Sequence, residues 1–210
     1  MHAHGANAML AQSNPIPLWL KLAFSLWLLI WVPSYLSVYG PQNFFWLCNL
    51  ANFLILIALW TENRLLMSAQ LLAVLIVGSV WSLDVGTAAL ITGTPVLGTD
   101  YMFDTEIPLA TRMLSIFHTV LPVIAVYAIL KLGYDRRGLI LQTALTWVVI
   151  PLTWLLTDPE RNINWTRKPF NQTQDLLPEG LYVIVLMLAW PLLLYVPVHL
   201  GILAWRKARA

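Results

Sequence analysis

Six long apolar stretches, separated by short polar or glycine-containing breaks, constrain this chain more than any other feature of its sequence. A helix needs roughly 20 mostly apolar residues to cross about 30 Å of hydrocarbon. The chain is 59% hydrophobic and only 10% charged, whereas soluble domains carry about 25% charged residues. We therefore predict an all-α polytopic membrane protein, with one transmembrane domain over residues 1–210. The bundle of six transmembrane helices should cover about 18–39, 44–60, 65–83, 108–132, 138–157 and 180–205.

The charged residues divide between the two sides of such a bundle. One side receives eight of the twelve basic residues, and the other receives eight of the ten acidic residues. Because basic residues concentrate on the cytoplasmic side, we expect both termini in the cytoplasm and the two long loops outside. The protein should thus be a multi-pass integral membrane protein, in the plasma membrane or, in a bacterium, the inner membrane. The stretch 1–17 has no basic region, and no small-residue cleavage pattern follows the first span, which favours a retained helix over a signal peptide.

Composition also excludes several classes of function. The net charge is only +2, which gives no indication of a nucleic-acid partner. The single cysteine cannot form an internal disulfide, and no cluster of Cys and His suggests a metal. We expect neither a metal nor a cofactor, and the predicted partner is membrane lipid.

Three of the predicted spans carry a polar stripe, which predicts a shared polar interior. His118 lies inside an apolar span, and ionisable groups at such depth are expensive and mark functional sites by default. At about 100° per residue, polar residues gather on one face of three spans: Cys48, Asn49 and Asn52; Thr111, Arg112, Ser115, His118, Thr119 and Pro122; Gln142, Thr143, Thr146, Thr153 and Thr157. The simpler alternatives are that Ser, Thr and Asn join helices and that Cys48 is a small buried hydrophobe.

Two segments of the chain resemble known enzymes. The run 117–122, Phe-His-Thr-Val-Leu-Pro, resembles the His-Thr-(Thr)-Val-Leu-Pro segment of the androgen-induced transmembrane hydrolases, which cleave fatty acid esters of hydroxy fatty acids. The run 164–170, Asn-Trp-Thr-Arg-Lys-Pro-Phe, is similar to that family's Trp…Pro-Phe stretch. Separately, the sequences that begin at Asn164 and at Asn171 both match the short N-glycosylation pattern. Upstream, the run 46–50 falls where the family has its threonine nucleophile, and Cys48 stands at that position, as in a related branch of cysteine-dependent multispan acyltransferases.

This resemblance implies lipid-ester hydrolysis or acyl transfer, with Cys48 as nucleophile and His118 as base. A thiolate is the reactive form of cysteine, and a nearby histidine can accept its proton. For substrate binding we expect Asn49, Asn52 or Thr119 to supply an oxyanion donor. We expect Arg112 either to hold a lipid phosphate or carboxylate or to pair with an acidic residue of the preceding loop, Asp104 or Glu106.

One geometric condition must hold for this site to exist. If the second helix begins at residue 44, Cys48 is about 6 Å deep, against about 15 Å for His118. Contact therefore requires the second helix to start earlier, or the fourth to start later or tilt. The leading alternative is a non-enzymatic accessory or scaffold subunit of a larger membrane complex. A transporter is a weaker third reading, since inverted repeats and broken helices, which are common in transporters, are hardly visible here.

Overall fold

The computed structural model describes residues 16–209. This part of the chain contains helices and the loops between them, and no strand. Residues 1–15, which make up most of the segment before the first span, and residue 210 lie outside the described part. Eight α-helices follow one another in this part of the chain: α1 Leu18–Tyr39, α2 Leu47–Thr61, α3 Arg64–Thr87, α4 Leu109–Leu114, α5 Phe117–Leu132, α6 Gly138–Leu156, α7 Glu179–Ala189 and α8 Val196–Lys207.

Five of the continuous helical stretches are long and apolar enough to cross a membrane. They are Leu18–Tyr39, Arg64–Thr92, Leu109–Leu132, Gly138–Leu156 and Glu179–Lys207. The remaining predicted span, 44–60, is a shorter apolar helix of 15 residues, Leu47–Thr61. It is preceded by a 3₁₀ helix, Pro41–Phe45. The apolar helices are thus consistent with a multi-pass membrane protein. Five of the six predicted spans correspond to helices of membrane-spanning length, and the sixth, 44–60, corresponds to this shorter helix.

The third span extends further than its composition predicted. Helix α3 continues to Thr87, and a π-helical turn, Ala88–Thr92, carries it into the stretch predicted to be a loop from residue 84. The reason is local: Asp84 is buried and its carboxylate accepts hydrogen bonds from the loop that follows, so its charge does not end the helix.

The fourth predicted span is broken into α4 and α5, which meet at Ser115 and Ile116. The break occurs without a proline or glycine at these two positions, the usual causes of a sharp kink. Instead, the buried Ser115 hydroxyl is hydrogen-bonded to Tyr35 of α1 at 2.5 Å, and Thr111 is bonded to Ser34 of the same helix at 2.9 Å. Helix α5 consequently begins at Phe117, so that His118 is its second residue.

Helix α3 lies at the centre of the bundle and packs against α2, α5 and α6. Two glycines allow close approach to it: Gly78 of α3 faces the backbone of α5, and Gly138 of α6 faces Ser68 of α3. The outward surfaces of the bundle expose large apolar side chains, for example Leu29 and Ile140, each 72% exposed. In water such a surface would be costly, whereas in a bilayer it faces lipid.

Candidate functional site

Cys48 and His118 line the same small cavity, although they are seventy residues apart in the sequence. Each is the second residue of its helix, α2 and α5 respectively. The cavity has a volume of about 10 Å³, and its other lining residues are Val74, Val77, Gly78 and Leu121. This volume is at the lower limit for a single water molecule. The fourth span starts at Leu109, almost as predicted, although it is broken before α5, and α2 starts at Leu47, later than predicted and not earlier. Neither of the changed starting points expected from the depths of Cys48 and His118 is therefore found.

The hydrogen bond of His118 defines which ring nitrogen carries the proton. Its Nδ1 lies 2.8 Å from the carbonyl oxygen of Ser115, within the same turn. A carbonyl oxygen can only accept, so Nδ1 must be the protonated nitrogen of the neutral ring, and Nε2 keeps a free lone pair. The bond from Nδ1 is the only hydrogen bond of the His118 ring within residues 16–209. The imidazole can therefore act as a base.

Two aromatic rings hold the His118 imidazole in place. Trp81 of α3 stacks on it with ring centroids 4.8 Å apart, and Phe117 lies 4.0 Å away. The indole Nε1 of Trp81 in turn donates to the hydroxyl of Tyr101, in the loop after α3, at 2.9 Å. Burial raises the pKa of Tyr101, which keeps this hydroxyl protonated. Trp81 lies near the end of the predicted span 65–83, where tryptophans commonly anchor a helix at the membrane interface, and the sequence gave no signal for Tyr101.

The first turn of α2 surrounds the thiol with backbone groups. No backbone or side-chain oxygen accepts from the backbone N–H groups of Cys48 and Asn49 in the described part of the chain. Unpaired N–H groups are normal in the first turn of a helix, and here they stand beside the thiol. Such donors can stabilise an oxyanion in a site with little water.

The two asparagines predicted to bind substrate direct their amide donors at the backbone around Cys48, and Oδ1 of Asn49 accepts from the Cys48 thiol at 4.0 Å. Asn49 donates from Nδ2 to the carbonyl oxygen of Asn43 at 2.8 Å, and Asn52 donates to the carbonyl oxygen of Cys48 at 3.3 Å. Both side chains are buried, with their amide donors directed at the main chain. The Oδ1 atom of Asn52 is buried and has no hydrogen-bond partner in residues 16–209.

Thr119 and Arg112 lie away from the cavity. Thr119 is exposed and shares a hydrogen bond of 2.7 Å with Ser82. Arg112 donates from Nη1 to the carbonyl oxygen of Met102 at 2.8 Å, and it forms no salt bridge within the described residues. The expected pairing of Arg112 with Asp104 or Glu106 is therefore wrong. Arg112 contacts the backbone of the loop after α3 instead.

The loop after α3 is fixed by hydrogen bonds to the helix itself. The Asp84 carboxylate accepts hydrogen bonds from the Val96 and Leu97 amides and from the Thr99 hydroxyl, at 2.7 to 3.0 Å. Gly98 lies so close to Trp165, in the loop after α6, that a Cβ at this glycine would come within 2.3 Å of the indole. The loop after α3 and the loop after α6 thus meet.

A larger groove lies elsewhere, between α1 and α5. Its volume is about 250 Å³, and it is lined entirely by apolar side chains: Leu20, Ala23, Phe24, Trp27, Phe117, Val120 and Ile124. Neither Cys48 nor His118 lines it. No group of three or more Cys, His, Asp or Glu side chains suited to a metal ion is found in residues 16–209.

Comparisons with known proteins add no assignment: no protein-family model, curated protein or solved structure significantly matches this chain. The resemblance to the transmembrane hydrolases and acyltransferases therefore remains a hypothesis based on short motifs. The geometry around Cys48 and His118 has to be weighed by itself.

Proposed function

We propose that this protein is a multi-pass membrane enzyme that transfers acyl groups from lipid esters through Cys48. The observation that supports this proposal best is the shared cavity of Cys48 and His118, because the second residues of two different helices converge there. A thiol and an imidazole with a free nitrogen are the components of an activated nucleophile and its base. The Cys48 thiol donates to Asn49 Oδ1 at 4.0 Å, and no hydrogen bond joins it to His118 in residues 16–209, so the reaction requires the thiol to turn towards the ring.

The chemistry proceeds in two halves. In the first, the Cys48 thiol gives its proton to His118 Nε2, and the sulfur attacks the ester carbonyl carbon. The negative charge on the carbonyl oxygen is stabilised by the free N–H groups of Cys48 and Asn49. The carbon–oxygen bond then breaks, the leaving alcohol takes the proton from His118, and the acyl group stays on sulfur as a thioester.

In the second half an oxygen nucleophile releases the acyl group. Water, or the hydroxyl of a second lipid, gives its proton to His118 Nε2 and attacks the thioester carbonyl. Expulsion of sulfur and return of the proton regenerate the Cys48 thiol. Water gives a fatty acid and makes the protein a hydrolase, whereas a lipid hydroxyl gives a new ester and makes it an acyltransferase.

For the topology we propose six crossings with both termini in the cytoplasm. Helix α2 is about 22 Å long at 1.5 Å per residue, and the preceding 3₁₀ helix of five residues adds about 10 Å. Together they reach the roughly 30 Å of a bilayer core. The charge division supports the same arrangement, because residues 131–137 and 206–209 carry six basic residues and one acid.

The proposal is tested by lipid-ester turnover in detergent, with the wild-type chain, C48A, C48S and H118N. Asparagine preserves the Nδ1 donation to Ser115 and removes Nε2. We expect C48A to lose turnover and H118N to lose about 10²-fold or more. A thiol-reactive acyl probe should label wild type but not C48A, since Cys48 is the only cysteine. Turnover retained in both C48A and H118N would exclude this site.

The small volume of the cavity favours a second candidate function. About 10 Å³ cannot hold a lipid ester, which is what a non-enzymatic accessory subunit of a membrane complex would show. Turnover distinguishes the two, because the enzyme needs only lipid, whereas a scaffold shows no turnover and co-purifies with partner subunits in stable stoichiometry.

A further inference from the structure

Asn164 connects the loop after α6 to the residue that precedes Cys48. Its Oδ1 accepts from the Leu47 amide at 2.9 Å. Its Nδ2 donates to the carbonyl oxygen of Phe45 at 2.7 Å and to the Thr153 hydroxyl at 3.0 Å. The side chain is fully buried. One amide therefore joins the loop, helix α6 and both sides of the start of α2.

These contacts provide a cap for the first turn of α2 that the residue preceding the helix does not provide. Trp46, the residue that precedes the helix, offers no side-chain cap to the first-turn amides. Capping by a side-chain oxygen is the usual way to satisfy one of these donors. Asn164 supplies that oxygen from more than a hundred residues away, and the Trp165 ring beside it packs on Trp46 at 5.3 Å.

The backbone of the loop is held in an unfavourable conformation to make these contacts. Asn164 and Trp165 have φ values of 54° and 59°, in the left-handed region that residues other than glycine adopt at a cost. Such strain persists only where surrounding contacts impose it, and it is enriched at functional sites. The burial of Asn164 also excludes it as a glycosylation acceptor in the folded protein.

We propose that Asn164 is a positioning residue for Cys48. It fixes the first turn of α2 so that the thiol faces the cavity shared with His118 and the amides of Cys48 and Asn49 remain free. This inference rests on the proposed function, because it presumes that the thiol and the imidazole act together.

Asn162 provides a matched control within the same loop. It is also buried and also left-handed, with φ 45°. Its side chain bonds only within the loop, to the backbone of Arg167 and Lys168 and to Asn171. Glycine tolerates a positive φ, so N164G and N162G each remove one buried amide without adding backbone strain.

The experiment measures the alkylation rate of Cys48 by iodoacetamide at pH 7 in the purified full-length chain. Because Cys48 is the only cysteine, the modification reports on this thiol alone and requires no substrate.

The rate is compared with and without H118N in three backgrounds: wild type, N162G and N164G. In the wild-type and N162G backgrounds we expect H118N to slow alkylation by about tenfold, because the base is lost. In the N164G background we expect H118N to have less than about a twofold effect, since the two groups no longer act together.

The possible outcomes separate the two hypotheses. If H118N slows alkylation equally in the wild-type and N164G backgrounds, Asn164 does not position the thiol, while the Cys48–His118 pair stands. If H118N has no effect in wild type, the pair itself fails and the role of Asn164 fails with it. If N164G does not fold, N164D is the second variant: its carboxylate still accepts from Leu47 but cannot donate to Phe45. A smaller H118N effect in N164D supports the inference, and an unchanged effect overturns it.

Discussion

The indole of Trp81 stacks on the imidazole of His118, with the two ring planes 14° apart and their centroids 4.8 Å apart. This contact holds the ring in the orientation in which Nδ1 reaches Ser115 and Nε2 is left free. It also links His118 to the loop after α3, because the same indole donates to Tyr101.

Removing the stacked ring should impair the reaction more than the fold. We expect W81L to lower kcat for lipid-ester turnover by about tenfold with little change in KM, because the imidazole loses its orientation. W81F keeps an aromatic ring and loses only the bond to Tyr101, so its loss should be smaller. The control is W19L, since Trp19 is 66% exposed on α1. Equal kcat for W81L and W19L would show that the stacking has no catalytic role.

Substitution of Gly78 should separate α3 from α5 at the site. A Cβ at this position would come within 2.1 Å of the His118 carbonyl oxygen and 2.6 Å of Pro122 Cγ, so one helix must move. We expect G78A to lower stability by about 1–3 kcal/mol, as overpacking does, and to reduce turnover.

G86A on the same helix is the control, because no atom lies within 4 Å of its Cβ. Detergent unfolding curves measure both, and G86A should be neutral or slightly stabilising. A stability of G78A equal to that of G86A would contradict the close approach of the two helices.

The helices themselves could be predicted from the sequence, because apolar length and polar stripes are local patterns. Of the predicted interior residues, Ser115, Gln142, Thr146 and Thr153 are indeed buried. The break at Ser115 and Ile116 was missed, because nothing in the local sequence ends a helix there. At the break, the Ser115 hydroxyl is hydrogen-bonded to Tyr35, eighty residues away.

The supporting residues of the site were missed for the same reason. The sequence around Asn164 matches a glycosylation pattern, and only its contact with Leu47, 117 residues away, reveals a different role. Trp81 lies near the end of a predicted span, where tryptophans commonly anchor helices to the interface. A single sequence contains no signal for contacts of this range, whereas the candidate nucleophile and base were visible as polar residues in apolar segments.

The carboxylate of Asp84 should hold the loop after α3 in its folded conformation. Its three hydrogen bonds come from Val96, Leu97 and Thr99, and bonds to a charged acceptor are stronger than neutral ones. In D84A we expect amide hydrogen exchange at residues 96 and 97 to rise by about tenfold or more. D100A is the control, since Asp100 is exposed in the same loop. Unchanged exchange in D84A would mean that other contacts hold the loop.

The loop between α5 and α6 should make stability depend on pH in the acid range. The Asp135 carboxylate accepts two hydrogen bonds from the Arg137 side chain and lies 3.7 Å from Arg64. The hydrogen bonds from Arg137 lower the pKa of Asp135 to about 2, below its ordinary value of 3.8. A carboxyl group whose pKa is lower in the folded state stabilises the fold above its unfolded pKa, and this contribution is lost as the pH falls through the folded pKa.

We therefore expect D135N to lower the melting temperature at pH 7 and the difference from wild type to shrink as the pH falls from about 4 to about 2. D175N is the matched control, because Asp175 is exposed and makes no ion pair within the described residues. Thermal unfolding in detergent at several pH values measures both variants. A difference between D135N and wild type that stays constant down to pH 2 would show that the loop is held by backbone contacts, such as that of the Asp135 amide with Ser68, and not by the charge.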